Sequence, residues 1–266
     1  MMKKSQGFSL VELISVIVII GVLASTTTHI ITLPTKSYID LSRRATLVDS
    51  AELTLRRMQR DIRRALPNSI RITGGGTVLE LLHTVDGGRY RAAGTGDTLD
   101  FYSAGDISFD VIGTLHNVAE IDVTKDQLVI YNLGAGNSQS DAYQSSNNNR
   151  AALTSISASS ITFASKTFPY QSPQQRFFIV DTPITYQCDI SNQQLLRFDN
   201  YAIVATQPNP PSVTGKLQAN QVASCAFSYS AGTGSRSGLV TLEITLTDEA
   251  GESVRLINQI HVDNVS

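Results

Sequence analysis

From Leu10 to Leu23 the chain reads LVELISVIVIIGVL, with Glu12 the only charged side chain in the run. So apolar a stretch has to leave water, either into a protein core or into a bilayer. Apolar character resumes at Ile30, Ile31 and Leu33, and no small-residue cleavage box with a polar start separates the two parts. Read as one helix, residues 8–33 would be roughly 39 Å long, more than a hydrocarbon core of about 30 Å requires. Lys3 and Lys4 precede the run, and positive charges stay on the cytoplasmic side, so everything after it belongs across the inner membrane. A plain anchor has no use for Glu12. A carboxylate at membrane depth costs roughly 2.5–3.5 kcal/mol even on lenient scales, so it calls for a partner.

The run Gly7-Phe8-Ser9-Leu10-Val11-Glu12-Leu13, with Lys3 and Lys4 before it, closely resembles the class III signal of type IV pilins and pseudopilins. The resemblance implies that a prepilin peptidase cuts between Gly7 and Phe8 and methylates the new amino terminus on Phe8, leaving residues 8–33 attached. It also implies a role for Glu12, whose carboxylate would neutralise the ammonium of a neighbouring subunit as both are buried in a filament. The implied partners are the peptidase, other major and minor pilins, and the inner membrane. The implied location is a single-pass inner-membrane protein with a periplasmic head, later at the pilus or cell surface. Large heads in this family are usual among minor members. Many pilins bend their first helix at a proline inside the hydrophobic half; here there is only Pro34 just after it, with Gly21 and Thr26 to Thr28 as weaker points.

Beyond the apolar segment, Tyr38, Leu41, Ala45, Val48, Leu55, Met58, Ile62 and Leu66 recur at steps of three and four, with one turn skipped at Ala51 and Glu52. That period predicts an amphipathic helix over 34–66, stopped by Pro67. Its other face carries Arg43, Arg44, Arg56, Arg57, Arg60, Arg63 and Arg64, interleaved with Asp40, Asp49, Glu52 and Asp61. With a net charge of −2 for the chain, this is a solvated or partner-facing surface and not a nucleic-acid interface.

After Pro67 the period becomes two-fold, which predicts an α+β chain: one long helix and then a mostly antiparallel β head over 67–266. The stretch 77–93 reads as two strands around an Asp86-Gly87 turn, and 237–264 as a hairpin turning at 249–252. Further strands are expected at 99–102, 107–112, 127–133, 160–163, 177–180, 184–188, 195–198, 201–205 and 222–229. The polar stretches 134–150, 207–212 and 230–238 read as surface loops. The organisation is thus a leader (1–7), a hydrophobic half-helix (8–33), an amphipathic half-helix (34–66) and the head (67–266).

Cys188 and Cys225 fall in two of the expected strands and outside any metal-type spacing. In the oxidising compartment that the resemblance implies, they are expected to pair as a disulfide. Nothing assembles into an active site. His29, His83, His116 and His261 are scattered, and Gly74-Gly75-Gly76 lacks the following Lys-Ser or Lys-Thr of a phosphate loop and reads as a turn. Asp97, Asp100, Asp106 and Asp110 do not follow a calcium-loop spacing. The chain is therefore expected to be no enzyme and to carry no cofactor or metal.

Overall fold

A computed structural model describes residues 7–102, 105–136, 139–146, 149–232 and 237–262, the side chains of 28–35 excepted. Lys3 and Lys4 lie outside the described residues, as does part of the expected loop at 230–238. One helix, α1, runs unbroken through Leu10–Arg63, roughly 81 Å at about 1.5 Å per residue. It starts where the Ser9 hydroxyl accepts the amide of Glu12 at 3.2 Å, an N-cap bond that satisfies one of the free first-turn donors. Pro34 lies within α1, although proline contributes no amide to the ladder.

The helix ends three residues before the expected Leu66, because the chain turns to join a strand edge. Thr84 N donates to Arg64 O and Leu66 N to Leu82 O, both at 2.8 Å, with an Ala65 to His83 bridge between them. Pro67, which has no amide to offer the strand, follows.

Among the described residues twelve strands follow in chain order: β1 (Arg71–Thr73), β2 (Val78–Tyr90), β3 (Ser108–Ile112), β4 (Gln127–Ile130), β5 (Arg150–Ile156), β6 (Ser160–Phe163), β7 (Arg176–Asp189), β8 (Gln194–Phe198), β9 (Lys216–Asn220), β10 (Val222–Ser230), β11 (Gly238–Thr247) and β12 (Ser253–Val262). All pairings are antiparallel, so the architecture is α+β. Nine strands form one sheet in the order β1-β2-β3-β6-β5-β4-β7-β8-β9, and β10-β11-β12 form a second. Because β2 also pairs with β7, six strands of the large sheet close into a ring around an aromatic core of Tyr90, Phe109, Phe163, Phe168 and Phe177. The outer half of the large sheet, the small sheet and α1 share another core. In it Leu47, Ala51, Leu55, Met58 and Ile62 meet Leu79, Leu81, Tyr186, Leu195, Phe227, Leu242 and Ile260. Strand β11 shows why the small sheet is readable from sequence: Val240, Leu242, Ile244 and Leu246 alternate inward, and the turn to β12 falls at 248–252.

Several expectations are corrected. Asp86-Gly87 is not a hairpin turn, because β2 continues through it and pairs with β7 from Val78 to Arg89, bending at bulges between Leu82 and Asp86. The Asp86 side chain is satisfied without a reversal: one oxygen accepts its neighbour Gly87 N, the other the amides of His116 and Asn117. The two glycines permit a close approach, since a Cβ at Gly87 would lie 3.0 Å from the Phe177 carbonyl and one at Gly88 3.0 Å from the Phe177 ring.

The segments 99–102 and 201–205 are irregular. In the first, the Asp106 and Asp100 carboxylates take the amides of Asp100 and Tyr102; in the second, Arg71 takes the carbonyls of Val204 and Ala205. Strands β1, β5 and β9 lie outside the expected set. The polar stretch 134–150 is more than a surface loop, for Ser140, Asp141, Ala142, Tyr143 and Asn149 are buried. On α1 the skipped turn is filled by Ala51, which is fully buried, whereas Tyr38, Leu41 and Ala45 are exposed. The head simply does not reach them. Arg44, paired with Glu252 at 3.3 Å, marks its lower border.

Candidate functional site

The amino-terminal site is a bare helix end. Among the described residues Gly7 has no neighbour within 4 Å of a Cβ placed on it, and Phe8 is 72% exposed, so the peptide bond between them stands clear of the head. Glu12 occupies the third helical position, in the first turn of α1. There the unpaired amides give the helix end partial positive charge, which favours a carboxylate. The pattern Ser9-x-x-Glu12 is that of a capping box, a local signal the sequence reading passed over. Capping explains why an acid is tolerated at a helix start. It does not explain why the acid stands ahead of an apolar segment.

That segment, Leu10–Thr27, has a mean hydropathy of 2.3, and none of it is buried within the protein. Three of its four hydroxyls are satisfied internally: Ser15 Oγ donates to the carbonyl of Glu12, Thr26 Oγ1 to that of Val22 and Thr27 Oγ1 to that of Leu23, at 2.7–3.0 Å. Hydroxyls turned back onto their own backbone suit the segment to lipid or to another apolar helix. From Thr27 to Leu47 the helix projects roughly 30 Å before the head's core begins. The apolar helix is therefore held out from the head.

The head is locked to α1 by polar groups as well as by packing. Asp61 Oδ2 accepts from Tyr186 Oη and from Arg197 Nε, both at 2.8 Å, and so ties α1 to β7 and β8. Burial pushes the Tyr186 phenol above its ordinary range, and the Asp61 charge beside it adds to that, keeping it a donor at any ordinary pH. Arg197 also pairs with Asp199, which Lys216 holds at 2.8 Å.

A second network surrounds Glu80, whose side chain is wholly buried. Arg71, its cross-strand partner on β1, donates to it at 2.6 Å, and Tyr201 Oη donates at 2.9 Å. The Arg71 guanidinium lies 3.6 Å over the Tyr143 ring, and Tyr143 Oη donates to Ser69 O at 2.9 Å. This is why the polar stretch 134–150 is folded inward.

Cys188 on β7 and Cys225 on β10 are brought together and joined, with Cα atoms 6.2 Å apart; the link crosses from the large sheet to the small one. The four aspartates of 97–110 are occupied locally. Asp97 accepts from Ser108 Oγ, Asp106 from the amides of Asp100 and Ile107, Asp110 from the amide of Asp97, and Asp100 from the amide of Tyr102. Among the described residues, no three His, Cys, Asp or Glu side chains converge as metal ligands would. His83 pairs with Asp181 at 2.9 Å, and His116 enters the Asp86 contact only through its backbone.

Residues 2–28 match the family model described as the prokaryotic N-terminal methylation motif. No curated protein and no solved structure matches the chain. The matched segment contains Gly7, Phe8 and Glu12, so the chain carries the class III signal of the type IV pilin and pseudopilin family. That signal implies processing by a prepilin peptidase, and the apolar helix behind it is consistent with anchoring in the inner membrane.

Proposed function

We propose that this chain is a minor type IV pilin-like subunit that serves assembly of a pilus of the mannose-sensitive haemagglutinin (MSHA) type and attachment through it. The observation that carries the reading is the joining, in one helix, of the matched methylation motif to an apolar segment that no part of the head covers. Three further stretches, RRMQRDIRRALPNSIRI, TPITYQC and GLVTLEITLTDEAGESVRLINQIHVDNVS, resemble MshO, a minor prepilin-like component of that system. They contribute the end of α1, part of β7, and β11 with β12, which all feed the core built around α1.

In this mechanism a prepilin peptidase cuts between Gly7 and Phe8 at the exposed helix end and methylates the amine of Phe8. The freed helix leaves the bilayer by exchanging lipid contacts for contacts with other pilin helices. Glu12 then supplies register, because its carboxylate is compensated where it meets a neighbour's amine. The carboxylate is excluded from the filament wherever that partner is missing. The head supplies partner choice and no chemistry.

Co-expression with a prepilin peptidase, followed by intact mass measurement, tests the reading. The expected product lacks residues 1–7 and carries one added methyl group, and a chain that keeps residues 1–7 would overturn it. Loss of surface pili and attachment on deletion is expected. Retention of secreted enzymes in the cell instead would reassign the chain to the minor pseudopilins of type II secretion, of the GspJ kind.

A further inference from the structure

Where α1 ends, its last turn, the second half of β2, the start of β7 and Val262 of β12 enclose an open cleft of about 460 Å³. Its floor is apolar, with Ile62, Leu66 and Phe177 fully buried and Phe178 partly so. Among the described residues its lining includes Arg63, Arg64, Arg89 and Arg176, against a single acid, Asp86, whose oxygens already accept three backbone amides. The Thr84 hydroxyl oxygen in the wall is buried and makes no hydrogen bond.

The arginines continue outward along the exposed face of α1 as Arg60 and Arg57. Lower on the helix, arginines are neutralised within the chain: Arg43 meets Asp40, Arg44 meets Glu252 and Arg56 meets Glu52. Arg57, Arg60, Arg63 and Arg64 meet no acid among the described residues.

We propose that this cleft, with the arginine stripe leading into it, is a docking surface for an acidic segment of a partner protein, one in which carboxylates flank an apolar side chain. The guanidiniums of Arg63 and Arg64, which meet no acid among the described residues, raise the positive potential at a low-dielectric recess and are shaped to take carboxylates two bonds at a time. The recess is large enough for an apolar side chain, which the buried floor would shield from water. The Thr84 hydroxyl can then meet a peptide group. A nucleic-acid backbone would satisfy the arginines and leave the apolar floor and this hydroxyl unserved, and the chain as a whole carries −2. The proposal goes beyond the pilus reading and uses only residues of the head and the end of α1 beneath it, so it stands or falls independently of cleavage at Gly7.

The test is fluorescence anisotropy with the full chain in detergent micelles. The probe is a fluorescein-labelled peptide alternating glutamate with leucine and phenylalanine. A glutamine-for-glutamate version and a labelled single-stranded oligonucleotide serve as competitors. The glutamate peptide is expected to bind at least about tenfold more tightly than the glutamine version, and less tightly as salt is raised. Reversal of charge in R60E/R63E/R64E should cost at least about tenfold. R63Q/R64Q provides a milder pair should the triple variant lose its fold by circular dichroism, and Thr84→Val should weaken binding with no change in charge. Equal binding of the two peptides, or indifference to these substitutions in folded variants, would overturn the proposal. So would an oligonucleotide that binds more tightly through the same arginines.

Discussion

Replacing Arg71 by Met removes the cation that faces Glu80 and leaves a carboxylate with no exposed surface, held by one remaining donor, Tyr201. Breaking a buried pair on one side costs about 3–5 kcal/mol, because the remaining charge is stranded. Removing both sides with R71M/E80L strands no charge, and should restore half or more of that loss although the contacts to Val204 O and Ala205 O stay broken. The pH dependence has a definite sign. Burial raises the Glu80 carboxyl above its ordinary value of 4.5, with the Arg71 bond and charge opposing. A raised folded-state value means that the native protein holds the proton more tightly than the unfolded chain. Stability from this group is therefore full below about pH 4.5 and declines as pH rises through the folded-state value. Without Arg71 that value rises further, so the defect of R71M should be small at pH 4 and larger at pH 7. Urea unfolding of the full chain in micelles reads this out by the near-ultraviolet circular dichroism of the tyrosines, the chain having no tryptophan. A cost under about 1 kcal/mol at pH 7 would refute the reasoning, as would a double variant costing the sum of its two single changes.

Glu12→Ala should leave processing largely intact while excluding the chain from filaments, measured as its amount in sheared pili; normal incorporation would remove the role given to the carboxylate. A bulky replacement such as Gly7→Leu should block cleavage, seen as full-length mass after co-expression with the peptidase. Cys188→Ala with Cys225→Ala should cost roughly 3–4 kcal/mol in the chain-entropy model for a separation of 37 residues, seen as a lower urea midpoint. Ala51→Leu should cost about 1–3 kcal/mol by overpacking the buried face of α1, and a neutral result would mean that face is looser than described.

The features legible in the sequence are those set by near neighbours. The Gly7 to Glu12 motif, the long helix and the β11 to β12 hairpin each depend on spacing within a few residues, and each lies close to where it was expected. What was hidden depends on distant partners. The three- and four-residue steps through Tyr38, Leu41 and Ala45 continue the helical pattern, yet nothing in the local sequence says that the head stops at Arg44. Asp86-Gly87 has turn chemistry, but a fourteen-residue β7 offers β2 a partner along its whole length. Tyr143 sits in a run of Gln, Ser and Asn that reads as solvent-facing, and only remote partners hold it inside: Arg71 over its ring, Ser69 O on its hydroxyl and the cluster of Leu66, Leu82, Val129 and Val180. The docking cleft shows the same difficulty. Arg63 and Arg64 were visible as a basic helix face, while Arg89 and Arg176 join them only through the pairing of β2 with β7.

Since one continuous helix passes from the membrane-facing end into the floor of the head, the head's bearing is written in residue count. An α-helix turns about 100° and advances about 1.5 Å per residue. One residue added between Thr27 and Leu47 would swing the whole β assembly, with its arginine stripe, about a quarter turn around the rod while lifting it little. Four residues would come close to restoring its heading. The linking segment is thus less a spacer than a compass setting, for it fixes the heading of the head about the apolar helix.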